Sequence, residues 1–423
     1  MNIPAFVINI FLIGFLLFAF RKWYVHPNEK TVFVISGFLK ITAGLLLGYI
    51  YLNHFEGSDT RLYYEEATKI AEYASETRQS VFDILFSNSE NGIHPQSSFS
   101  GQPRAIFFTK IVYLFYWITG GSFWLISVYF SLVSFLALWM LYQQLVVQNL
   151  VGRMTAMISL LLWPSVVFWS SGILKESISM ACIALMCFVV ITISNRTRIN
   201  FAHILIYLAA SYFLFKVKYY YAGILIPMQL SYLTIFFLKE RTTYLNAKTV
   251  SAVAFLCLFG GIVLLTSQLH YNLRLSNIGE VIVNNYHLFE QKSDPGKMVH
   301  FEHLRPDVLS FVKYSPKAWF AGWFRPFVFD IENAWSLIAA IENTMLFLLF
   351  IFQLKNVKKL WSNDGNLRIA ILLFCLLMGI FLTYSAPNFG TLVRYKVGFL
   401  PFLLLLILER NPVLGWMRGK GRQ

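Results

Sequence analysis

Charge is scarce in this sequence. Asp, Glu, Lys and Arg make up only 13% of its 423 residues, against 57% hydrophobic and 17% aromatic, and the mean hydropathy is +0.58. A soluble domain carries about 25% charge, so an ordinary water-soluble fold is excluded. Cysteine is rare as well: Cys182, Cys187, Cys257 and Cys375 all fall in apolar runs, where they act as small hydrophobes, and neither a disulfide framework nor a metal cage is indicated. Internal repeats and low-complexity tracts are lacking. The first hydrophobic run has no basic flank before it and no small-residue cleavage site after it, only Arg21 and Lys22, so it reads as a retained anchor and not a secretory signal. His300-Phe301-Glu302-His303 has metal-ligand residue types without the spacing of a helical zinc motif, and reads as loop. Only His203 lies near a hydrophobic segment, at its cytoplasmic end, so the buried histidine of a membrane acyltransferase is missing. No serine and histidine face each other on spans as an intramembrane protease would need.

What is present is a series of hydrophobic segments. Ala5 to Phe20 and Thr31 to Leu52 come first, and others begin near Ser122, Met154, Ile173, Phe201, Tyr219, Thr249, Ala334, Ile369 and Gly398. At roughly 20 residues per crossing this predicts about eleven spans. The expected fold class is therefore an all-α polytopic transmembrane bundle, a single integral membrane domain over residues 1–423. Lys and Arg gather in short connections at Arg21, Lys22 and Lys30, at Arg196 and Arg198, at Lys239, Arg241 and Lys248, at Lys355, Lys358, Lys359 and Arg368, and at the C-terminus. The positive-inside rule puts these on the cytoplasmic side, provided that Ala105 to Thr119 is an interfacial helix and does not cross. The N-terminus is then outside, in the inner membrane of a cell with a cytoplasmic C-terminus. Two long loops, 53–121 and 268–332, are then extracytoplasmic. The net charge of +14 reports orientation and contact with anionic lipid, not nucleic acid.

Glu65 to Phe86 alternates apolar and charged residues at helical spacing, which predicts one or two helices lying on the membrane. In the second loop Ser315 is placed to cap a helix with Pro316 in its first turn and Pro326 ending it, and Ser276 to Lys297 reads as a mobile loop.

The chemistry concentrates in the first loop. Glu56 and Asp59 lie just beyond a helix long enough to span, and Gly57 and Ser58 allow a tight turn there. A carboxylate at that surface can take a proton from an acceptor hydroxyl; the bland reading is a carboxylate that caps the next helix. Arg61 adds a cation, and Tyr63 and Tyr64 add aromatic faces that suit sugar rings. Lys175, Lys216, Lys218, Arg325, Arg394 and Lys396 fall at outer ends of spans or in outer loops, against the inside bias, and such cations can hold phosphate oxygens. Their bland reading is snorkelling, or pairing with Glu176 or Asp330. Lys40 and Glu342 sit inside spans, where a pair with each other or with Asn and Ser groups is expected, a proton or substrate path being the other reading.

An outward Asp early in the chain, surface helices in two outer loops and about eleven spans together resemble the GT-C class of membrane glycosyltransferases. The run Trp163-Pro164-Ser165-Val166-Val167-Phe168-Trp169-Ser170-Ser171-Gly172-Ile173-Leu174-Lys175-Glu176, with Phe324-Arg325-Pro326-Phe327 and Arg394-Tyr395, is similar to segments of bacterial polysaccharide-cluster membrane proteins, which include O-antigen and exopolysaccharide polymerases. In the typical transferase the Asp-bearing loop follows the first helix; here it follows the second. The resemblance implies transfer of a sugar from a polyprenyl-phosphate or polyprenyl-pyrophosphate donor to a glycan or lipid-linked acceptor at the outer face. Asp59 would be the base. Lys218, Arg325 and Arg394, with Arg61, Lys175, Lys216 and Lys396 behind them, would bind donor phosphate; Tyr63, Tyr64 and Glu56 would contact sugar or acceptor. No cofactor is implied, and a divalent metal is compatible with the reading but not indicated. A repeat-unit polymerase and a lipid-linked sugar flippase remain the alternatives.

Overall fold

The computed structural model describes residues 3–54, 58–87, 97–330, 334–356 and 365–419, and among them every regular element is helical. In chain order these are α1 (Ile3–Trp23), α2 (Lys30–Asn53), α3 (Asp59–Thr77), α4 (Val81–Phe86), α5 (Pro103–Thr119) and α6 (Phe123–Val147). Next come α7 (Arg153–Met157), continued by a π-turn over Ile158–Leu162, then α8 (Pro164–Trp169), α9 (Lys175–Ser194), α10 (Phe201–Arg241), α11 (Lys248–Ser267) and α12 (Ile278–Lys292). The remainder are α13 (Val308–Phe324), α14 (Ala334–Leu354), α15 (Gly365–Ser385), α16 (Phe389–Tyr395), α17 (Leu400–Leu408) and α18 (Pro412–Gly419).

Eight of the described helices (α1, α2, α6, α9, α10, α11, α14 and α15) are long and apolar enough to cross a bilayer, or nine spans if the α16–α17 pair, bent by 71°, counts as one. The chain is thus a multi-pass membrane protein. Much of α1 and α11 is bare: Phe11, Phe15 and Phe18 on α1 and Val253, Leu256 and Leu265 on α11 are exposed. Hydrocarbon satisfies such faces, whereas water would drive them together.

Two features separate this from an array of straight spans. The segment beginning near Met154 is three short pieces, because the π-turn ends at Trp163, whose ψ of 124° leaves the helical region just before Pro164. The segments beginning near Phe201 and Tyr219 are one element, α10, whose only non-helical residue is Lys218 (φ −145°, ψ 74°). Its 41 residues would reach about twice the thickness of a hydrocarbon core if straight.

The chain forms two compact units. The first comprises Met1–Gln143, Val167–Phe188 and Ile204–Tyr219, and the second Gln144–Val166, Val189–His203 and Tyr220–Gln423.

In the first unit small residues bring α2, α6 and the stretch between α8 and α9 together. A Cβ on Gly44 would stand 2.1 Å from Ser131 Oγ. Ser127 Oγ donates to Gly44 O (2.9 Å), Gly172 N donates to Ser131 Oγ (3.0 Å), and Gly172 itself has φ +66°, open to glycine at little cost. Lys40 donates to Ser170 there, which fulfils the expectation of a serine partner. The irregular backbone over 170–174 is tolerated among apolar helices because protein groups take up its polar atoms. Thr60 Oγ1 is one of them, donating to Ile173 O (3.1 Å) and so fixing the start of α3 against the start of α9. The α3 helix buries Thr60, Tyr63, Glu66, Ala67, Ile70 and Ala74 and packs this face on α5, not on lipid.

In the second unit α13 begins earlier than the sequence suggests. Asp307 caps it by accepting from Ser310 N (2.8 Å), and Ser315 and Pro316 lie inside the helix, which ends just before Arg325 and Pro326 as expected. The expected mobile loop over Ser276 to Lys297 contains the helix α12, which packs on α15. Tyr286, Phe301, Leu304, Ala318, Ala321 and Tyr384 form the core of this region. Tyr384 Oη donates to Phe311 O (2.6 Å), and Trp323 Nε1 donates to Cys375 O (3.0 Å). The α13 helix therefore runs antiparallel to α15 and stops level with Cys375, midway along it.

Candidate functional site

The candidate site lies in the first unit, where α3 and α9 begin side by side. Asp59 is exposed at the first position of α3, where the helix dipole favours a carboxylate. It is not the cap: Ser58 holds that position and donates its hydroxyl to Tyr51 O (3.1 Å). The half-buried Lys175 opens α9, and its charged neighbours are Asp59, Glu176, Arg104 and Lys218. Its ammonium stands 5.0 Å from the centre of the Tyr63 ring.

One of those neighbours was not expected. Arg104, exposed in the first turn of α5, has its guanidinium 5.1 Å from the Tyr219 ring centre. Glu66 explains how it gets there. This buried carboxylate accepts from Ser97 Oγ (2.7 Å), Ser98 Oγ (3.0 Å) and Lys69 Nζ (2.7 Å), clasping the turn that leads into α5. Burial pushes the Glu66 carboxyl up, but these hydrogen bonds outweigh it and hold the group below its ordinary value. Asp59, Tyr63 and Glu66 are spaced four and three residues apart on one stripe of α3, a signal in the sequence that could have marked Glu66. Arg104 carried no such signal beyond following Pro103.

Several expected site residues have other employment. Lys218 is buried at the break in α10 and donates to the buried Glu176 (2.8 Å), the pairing anticipated as the alternative to phosphate binding. Tyr63 is 5% exposed and stacked on Phe99 at 4.9 Å, so its faces are covered by Phe99 and Lys175 and offer no platform to a sugar. Tyr64 donates its hydroxyl to Gly121 O (2.7 Å) and is half-buried. Arg61 pairs with Glu65 (2.7 Å) on the exposed side of α3, and Lys216 is exposed near the Tyr212 ring. Glu56 lies outside the described residues.

The remaining cations belong to the second unit. Arg325 makes a two-pronged pair with Asp330 (Nε to Oδ2 3.0 Å, Nη2 to Oδ1 2.5 Å), again the anticipated alternative, and its guanidinium lies 4.6 Å from the Phe389 ring centre. Arg394 is half-buried beside Tyr395. Lys396 is 1% exposed and donates to Trp323 O (3.2 Å), Arg325 O (3.0 Å) and Asn343 Oδ1 (3.0 Å). An ammonium has three protons to donate, so nothing is left for a donor phosphate. Glu342 accepts from Ser165 N (3.1 Å) and Ser165 Oγ (2.6 Å), again a serine partner.

Chemically, the first-unit site is an exposed carboxylate beside a half-buried ammonium and an exposed guanidinium. It can accept a proton and hold an anion within one small region. No family model, curated protein or solved structure matches this chain.

Proposed function

We propose that the chain is a membrane glycosyltransferase of cell-surface polysaccharide or glycoconjugate assembly, acting at the outer face of the inner membrane on a polyprenyl-linked sugar. The observation that carries this reading is the placing of Asp59 beside Lys175 and Arg104, charges of the kinds a base and a phosphate seat require. The acceptor hydroxyl attacks the anomeric carbon as its proton passes to Asp59. The bond from that carbon to the phosphate oxygen breaks, and the electron pair leaves on the phosphate, which Lys175 and Arg104 stabilise. This topology has the N-terminus outside and about eleven crossings, with α10 counted as two, the broken α7–α8 stretch as one and α5 interfacial. A repeat-unit polymerase would use the same groups.

The test is sugar transfer in proteoliposomes with a lipid-linked donor. Asp59→Asn keeps the shape of the side chain but cannot take the proton, and turnover should drop by about 10² to 10⁴ while donor still binds. Full turnover in Asp59→Asn would remove Asp59 as the base.

One observation favours the second reading, a lipid-linked sugar flippase. Interrupted elements with buried charge, the α16–α17 bend at Lys396 and the α7–α8 break beside Glu342, suit transporters. Donor translocated without any transfer product in the same vesicles would select it.

A further inference from the structure

Lys396 lies where the chain leaves α16 for α17, and its ammonium is surrounded by oxygen. Two of its three acceptors, Trp323 O and Arg325 O, are main-chain carbonyls at the C-terminal end of α13, which has no further turn to satisfy them. The third is Asn343 Oδ1, whose own amide donates to Pro326 O (3.1 Å) and is thereby oriented with its oxygen towards the ammonium. Glu342, the residue before Asn343 on α14, is buried as well and is held by Ser165. A helix C-terminus carries about half an elementary negative charge. Two backbone carbonyls and an amide oxygen converging on one buried cation are the donor set of a monovalent-cation site.

We propose that this cage is a monovalent-cation site that Lys396 fills with its own ammonium, so that a tethered cation locks the tip of α13 to α14 and to the α16–α17 bend. The site is selective for a primary ammonium or an alkali cation by its hard, uncharged oxygens. A transport cycle driven by a soluble cation could not use this place while Lys396 occupies it. The inference does not rest on the transferase reading, since it concerns only the second unit.

Chemical rescue tests it. Lys396→Ala keeps Cβ and removes the atoms that n-propylammonium would restore. Purified in detergent, this variant should melt well below the wild type, and n-propylammonium or Na⁺ at fixed ionic strength should recover most of the loss. Choline, too large for the cage, and n-propanol, which has no charge, should recover none. Wild type should respond to none of the four, because its cage is full. Lys396→Met fills the space without the charge; it should melt below wild type and gain nothing from n-propylammonium. Equal recovery with choline, or Lys396→Met as stable as wild type, would overturn the proposal. If Lys396→Ala is not recovered from membranes, its yield when solubilised with n-propylammonium or with n-propanol is the readout, and equal yields count against the cage.

Discussion

Arg104 and Lys218 show how burial changes what a cation can do. Arg104 is exposed beside Lys175, so Arg104→Ala should weaken binding of a polyprenyl-phosphate donor by about 1 to 2 kcal/mol, below the full range for a charge-assisted hydrogen bond because water and salt screen it. That loss should shrink as salt is added. Lys218 is buried against Glu176, and Lys218→Met leaves that carboxylate without its ammonium. Stability should then fall by about 3 to 5 kcal/mol, read as thermal unfolding in detergent. Matching donor affinities in wild type and Arg104→Ala would take Arg104 out of the phosphate seat.

Glu66 gives the first unit a pH signature. Its folded pKa is depressed below 4.5, so the stabilisation it adds is complete above that value and is lost as pH falls through the lower folded one. The difference in melting temperature between wild type and Glu66→Gln should be constant at neutral pH and shrink under acid. A difference that does not change with pH would mean that the clasp depends on shape and not on charge.

At the scale of elements, the α13–α15 contact turns on one atom. A Cβ on Gly322 would stand 2.3 Å from Gly379 O, and backbone has little room to move. Gly322→Ala should cost about 1 to 3 kcal/mol through overpacking, whereas Gly260→Ala on α11, with nothing within 4 Å, should be nearly silent. Comparable melting of the two variants would mean that the helices can separate at Gly322 without loss.

The elements also show what a sequence displays. The α3 helix was legible because its apolar and charged residues alternate with the helical period, and the serine partners of Lys40 and Glu342 were legible because a buried charge must bond to something. The start of α13 was not: Ser315-Pro316 is a strong start signal, yet Asp307 outcompetes it because its carboxylate reaches Ser310 N. The α12 helix was hidden by the turn residues Ser293 to Gly296 that follow it. Hydropathy averages over a window, so the break at Trp163 left no trace in it, whereas those at Lys218 and Lys396 fall where new hydrophobic segments begin, near Tyr219 and Gly398. Asp59 and Lys175 are both candidates in the sequence, but it takes tertiary bonds such as that from Thr60 to Ile173 to bring them together, and no spacing along the chain encodes that.

For the whole molecule, the proposed orientation follows from the distribution of Lys and Arg. Cysteines placed singly at positions 59 and 293 should react with an impermeant thiol reagent in intact cells, and cysteines at 198 and 418 should not. Labelling at 198 but not at 59 would turn the molecule over and put the candidate site on the wrong side for an extracytoplasmic donor.

The two units are interleaved along the chain, and this sets an order of assembly. Every segment of the first unit precedes residue 220, whereas the second draws on residues out to 423. A ribosome adds about 5 to 20 residues per second, so the first unit can close about 10 to 40 s before residue 423 is added. Asp59, Arg104 and Lys175 are all in place by then. Ser165 is not served so early, since Glu342, which accepts from both its amide and its hydroxyl, has yet to be made. During that interval an interrupted helix waits with the amide and hydroxyl of Ser165 still lacking their carboxylate, a state that membrane-insertion factors and proteases would meet before any substrate does.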